Sequence, residues 1–194
     1  MKNIPKICSA QQLESFREDV KKNPDSAQAH MKLGTALCQY GLLDEAASEL
    51  ERAVEIYPEF AKAWVNLGGV YLSKWNFDGC IQANEKAIEC ESDLVQAHYN
   101  KGLGHMYKGE TEEMVECYTR VIELNPEHAA GTYHLAIAMF ARGEKQEAKA
   151  KLDRACALGY TPAPEILREF EKEEKAGDVL AFEIEPDSSG KHKQ

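Results

Sequence analysis

The residues best spaced for chemistry are His98, Lys101 and His105, which at i, i+3 and i+7 share one face of a helix. Two histidines seven apart need further ligands to hold a metal, and lysine is a poor one. The pattern therefore predicts a partly hydrated, hydrogen-bonded seam with Lys101 reaching to solvent, and no metal site. On that reading this stretch is the weakest part of the chain and loses stability as pH falls through the histidine range. The 6 cysteines (Cys8, Cys38, Cys80, Cys90, Cys117 and Cys156) form no CxxC pair and no dense framework. They predict a reduced, cytoplasmic setting, with Cys80, Cys90 and Cys156 as small core residues. No GxxxxGK, GxSxG or HExxH occurs, so no catalytic residue, cofactor or enzymatic activity is expected.

Binding chemistry remains. Asn66 and Asn100 stand 34 residues apart, and an amide can both donate to and accept from a peptide backbone whatever side chains that peptide carries. Their spacing belongs to the whole chain: Pro24, Pro58, Ser92, Pro126 and Tyr160 are each 34 apart, and the four units 24–57, 58–91, 92–125 and 126–159 repeat one pattern. Each unit has two apolar stripes at helical spacing, separated at Gly41, Trp75, Gly109 and Gly143. Glycine just past a helix takes the left-handed cap conformation without steric cost, so three of these positions read as helix stops. Small residues (Gly34, Gly68, Gly102, Ala136; Ala46, Cys80, Ala148; Ala53, Ala87, Ala155) let two backbones approach, and Leu33, Leu67, Leu135, Val54, Ile88 and Ile122 fill the space around them. Burying one such aliphatic side chain gains about 1.5–3 kcal/mol, too little for an isolated helical hairpin to offset its conformational entropy. The units must stack.

Trp64-x-x-Leu67-Gly68-x-x-Tyr71, with the small-residue columns and the closing Pro58 and Pro126, resembles the tetratricopeptide repeat (TPR) family. Cys80 and Met114 depart from its Ala columns, Asn84 from an aromatic one, and repeat three from its first-helix signature. The resemblance implies an all-α, right-handed superhelical array of antiparallel hairpins, with end caps. Residues 1–23 read as an N-terminal capping helix opened by a Ser9-to-Gln12 capping box. Residues 160–177 read as a C-terminal one, with Thr161 as N-cap and Pro162 in its first turn, ending near Lys175 and Gly177. The apolar stretch from Val179 to Ile184 lies in a tail, 178–194, that reads as a free terminus.

In this family the first helices line a concave groove that binds extended peptides or partner helices. The resemblance places Lys32, Asn66, Asn100 and His134 there, with Tyr99, Tyr133, Leu103, Ile137, Met106, Tyr107 and Phe140 as an apolar wall toward the later repeats. Asn66 and Asn100 are expected to hold a backbone and the Tyr99/Tyr133 end to supply an apolar pocket; packing against the next repeat is as good a reading for Ile137 and Phe140. Trp75 reads as a lid over a neighbouring helix pair. The carboxylate clamp of chaperone-binding relatives needs lysines and an arginine. The matching positions, Met31, Thr35, Asn66, Gln96 and Asn100, or Val65, Gly69, Asn100, Ala130 and His134, keep only Asn, so that specificity is not expected.

With 23 basic and 33 acidic residues the net charge is −10, which disfavours nucleic acid and anionic membrane, and no run approaches the ~20 apolar residues of a membrane span. The expected partner is a protein or peptide. The alternative is a self-assembling scaffold, a homo-oligomer joined through end caps or the C-terminal tail; a regulatory subunit of a separate enzyme is a third, weaker reading.

Overall fold

The computed structural model describes residues 9–172, which contain helices and no strands. The expected end near Lys175 and Gly177, the 178–194 tail and Cys8 lie outside the described residues. The helices are α1 (Ala10–Lys22), α2 (Ala27–Gln39), α3 (Leu43–Ile56), α4 (Ala61–Ser73), α5 (Phe77–Cys90), α6 (Val95–Lys108), α7 (Thr111–Leu124), α8 (Ala129–Ala141) and α9 (Lys145–Ala157). A further helix, α10, is described over residues 164–172. The chain pairs α2 with α3, α4 with α5, α6 with α7 and α8 with α9, and each second helix packs on the first helix of the next pair.

Local chemistry sets these boundaries. Ser9 and Gln12 bond each other's backbone N–H groups to open α1. Gly41, Gly109 and Gly143 take positive φ at the hairpin turns, and Trp75, in the same place in the second hairpin, adopts φ 60° despite its side chain. At the other end the helix starts at residue 164, two residues later than Thr161 and Pro162 suggest. A residue preceding proline is driven out of the helical region, so Ala163 stays outside the helix and Pro164 takes the first helical position. Pro162 is buried in the approach to it.

Within the first three hairpins a glycine lets the helices touch, and Ala136 holds the same column in the fourth. A Cβ at Gly102 would lie 2.8 Å from the Tyr118 ring, and one at Gly68 would lie 2.2 Å from the Asn84 amide. Tyr118, Leu37, Leu50, Leu67, Leu152 and Val70 are completely enclosed by this packing. Leu13, Phe16 and Val20 of α1 cover one end of the core, and Ile166 and Phe170 of α10 cover the other.

Successive first helices also touch, α2 with α4 and α4 with α6, whereas no contact of comparable extent joins one second helix to the next. The row of hairpins therefore curves, with the first helices on its inner side.

Candidate functional site

The third repeat is built on its neighbours' plan. Trp64 Nε1 donates to the Pro58 carbonyl at 2.8 Å, the His30 Nε2 lies 2.9 Å from the Pro24 carbonyl, and His98 Nε2 lies 2.8 Å from the Ser92 carbonyl. His98 thus supplies the ring N–H that an indole supplies one repeat earlier, tying the first helix back to the start of its own repeat. Lys101 pairs with Glu85 at 2.9 Å, and His105 Nδ1 meets Glu110 at 2.6 Å while its Nε2 is buried without a partner. The three side chains have separate partners, and no metal-holding group of three or more His, Cys, Asp or Glu occurs among the described residues. Of the three cysteines expected in the core, Cys80 is buried, but Cys90 and Cys156 are exposed. Cys90 is the last residue of its helix, and Cys156 lies one position beyond the buried Ala148, Leu152 and Ala155 stripe.

The inner face divides into an open part and a filled part. In the open part, a depression of about 400 Å³ lies between α1, α2 and α4, with Phe16, Met31 and Ala36 in its lining and Lys32 and Lys62 among its polar groups. A second, of about 310 Å³, adjoins it through Thr35, Gln39 and Asn66 and reaches Gln96 and Asn100 of α6. The two amides share this second depression. Asn66 Nδ2 donates to Thr35 Oγ1 at 2.9 Å, and Asn100 Oδ1 accepts from Gln96 Nε2 at 2.7 Å. Among the described residues this leaves unengaged an acceptor on Asn66 and a donor on Asn100, the complement of one peptide unit. Asn100 is only 7% exposed, so it can be reached only from within the depression. Gln28, Lys62 and Gln96 form one 34-residue column along this face, and of the three only Gln96 is among the expected residues, at a clamp position.

Electrostatics set this face apart. The helices α2, α4, α6 and α8 contain no Asp or Glu, while every second helix carries at least two. The −10 charge is thereby kept off the inner face.

In the filled part, toward α8, side chains of the expected apolar wall meet protein. Tyr99 packs on His128 and His134, with ring centroids 5.0 and 5.7 Å apart, and edge-on against Tyr118 at 5.9 Å. Tyr133 stacks on Tyr160 at 4.2 Å, and Phe140 on Phe170 at 4.3 Å. Ile137 joins the same cluster, Met106 packs on the Tyr118 cluster, and Leu103 is half-buried. His134 stacks on Tyr118 at 5.2 Å; burial, aided by nearby His128, pulls its pKa down to about 4, so the ring is neutral near pH 7. Repeat four thus holds a proton-sensitive histidine, packed among Tyr99, Tyr118 and Tyr133. Tyr107 turns out to the edge, where it stacks on Phe77 at 4.9 Å beneath the exposed Trp75, so Trp75 lids this aromatic pair.

Among the described residues, no helix is long and apolar enough to cross a membrane. The sequence matches the tetratricopeptide repeat family over residues 10–59, 41–93 and 99–160. No curated protein matches the chain significantly. Solved structures with the same fold include a crystal structure of MamA, 22% identical with a TM-score of 0.72 over 76% of this chain and 86% of that one. Another is MamA 41-end from Desulfovibrio magneticus RS-1, 17% identical with a TM-score of 0.71 over 77% and 84%. Repeat arrays of this family are protein-interaction scaffolds, and the chain belongs to the tetratricopeptide repeat family.

Proposed function

We propose that the chain holds an extended, largely apolar segment of a partner protein on the inner face of its first helices. Asn66 and Asn100 bond one peptide unit of that segment, Lys32 and Lys62 flank it, and Leu103 and Met106 stand beyond it, with the filled part of the face. Tyr99, Tyr133, His134, Ile137 and Phe140 support the far wall by packing, and Tyr107 stands at its edge. The observation that carries this reading is the pair of adjoining depressions, free of carboxylates, into which both amides open. Backbone bonding fixes the segment without reading its side chains, and the apolar floor selects them.

The test is affinity capture from native extract, with wild type beside the Asn66→Ala/Asn100→Ala variant, both shown folded by circular dichroism. Loss of the captured partner in the variant is expected; undiminished capture refutes the site.

A further inference from the structure

We infer that the N-terminal end of the concave face is filled by residues 178–187 of a second copy of this chain. The inference rests on the groove reading above and names the occupant. The depression between α1, α2 and α4 asks for a particular chemistry. Its floor includes Phe16 and Met31, and its two cations, Lys32 and Lys62, take part in none of the ion pairs formed among the described residues, where most other lysines are paired. A fitting segment is apolar, long enough to lie extended, and supplied with carboxylates.

Residues 178–187, Asp-Val-Leu-Ala-Phe-Glu-Ile-Glu-Pro-Asp, meet that description with four carboxylates and no basic residue. An extended chain alternates its side chains, so Leu180, Phe182 and Ile184 would reach the floor together while Glu183 and Glu185 face the lysine rim. The competing segment, residues 1–8, adjoins α1 but carries Lys2 and Lys6 and no carboxylate, the wrong sign for this site.

The donor is a second copy because the chain's own tail reaches the site only near full stretch. Ten residues from Lys172 to Phe182 span at most about 35 Å. From α10 to the α4 and α2 walls of the depression lie three to four helix-to-helix steps of about 8–10 Å each, which use most or all of that reach before the segment can lie along the groove. A partner copy has no such limit, and it contributes the segment that completes the site.

The experiment is sedimentation equilibrium on the full chain as wild type, as Lys32→Glu/Lys62→Glu, as Glu183→Lys/Glu185→Lys, and as the four-fold charge swap. Lys32 and Lys62 are exposed, and circular dichroism confirms the fold of each variant. Concentration-dependent self-association is expected for wild type, weakened by about ten-fold or more in either reversal and restored in the swap. A wild type that stays monomeric, an association indifferent to either reversal, or a swap that fails to restore it overturns the proposal. Because Asn66 and Asn100 are untouched here, such a result leaves the groove itself to be judged by the capture experiment.

Discussion

The two ends of the inner face have the same backbone and opposite surfaces. Across α2 and α4 the inward positions are Lys32, Thr35, Lys62 and Asn66, and they border open depressions; across α8 they are Tyr133, Ile137 and Phe140, and they are met by Tyr160 and Phe170. A large apolar side chain in a groove column is open to a ligand only where the next element has nothing to set against it. Here α10 and the Tyr160 turn provide aromatic partners, so the end richest in rings is closed, and the end with short and polar side chains is open.

Breaking this comparison should have its largest effect at the filled end. Tyr118 is fully enclosed against Gly102, so Tyr118→Ala should cost about 3–5 kcal/mol in urea unfolding. A loss below about 1 kcal/mol would mean that this packing is loose. Next comes acidity. His134 is held neutral, while in the unfolded chain it protonates near its ordinary pKa of 6.5; stability is therefore complete above that value and falls, by on the order of 3 kcal/mol, as pH drops toward 4. The melting temperature should fall across this range in wild type and stay nearly level in His134→Phe, and equal pH dependence in both would rule out His134 as the cause. Smaller still is Tyr118→Phe, which deletes a buried hydroxyl that has no partner and should leave stability unchanged or raise it by up to about 1 kcal/mol. Least of all, Lys32→Met at the open end should move stability by no more than about 0.5 kcal/mol, because this exposed side chain makes no ion pair among the described residues. A clear loss there would show that the depression is structural.

The fold was legible because its signals repeat. A 34-residue period, glycines at hairpin turns and small-residue columns each say the same thing several times, so single departures such as Trp75 and Asn84 do not disturb the pattern. The capping box at Ser9 was equally clear, since its chemistry is local. The start of α10 was not, because Thr161-Pro162 and Ala163-Pro164 offer the same local signal, and only the burial of Pro162 separates them.

The site was legible by column but not by availability. Which positions of a first helix face inward follows from the repeat; whether Tyr99 meets a ligand or His134 depends on residues 29 and 35 places later, which no spacing rule connects to it. His98 illustrates the converse. Its place in a tryptophan column looks like a broken rule until the shared bond to the repeat's first carbonyl is seen, and then it is the same rule met by another ring. One signal in the sequence does point to the open face without the structure: once the helices are marked, the first helix of every repeat lacks Asp and Glu.

The central claim is that a partner segment lies along α2, α4 and the start of α6 rather than on the outer helices or at the aromatic end. Hydrogen exchange on the full chain, alone and with the partner captured from extract, tests it most directly. Added protection is expected in the peptides that contain Lys32, Asn66 and Asn100, with little change in α5, α7, α8 and α9. Protection confined to the second helices or to the Tyr133 to Phe140 stretch would contradict it.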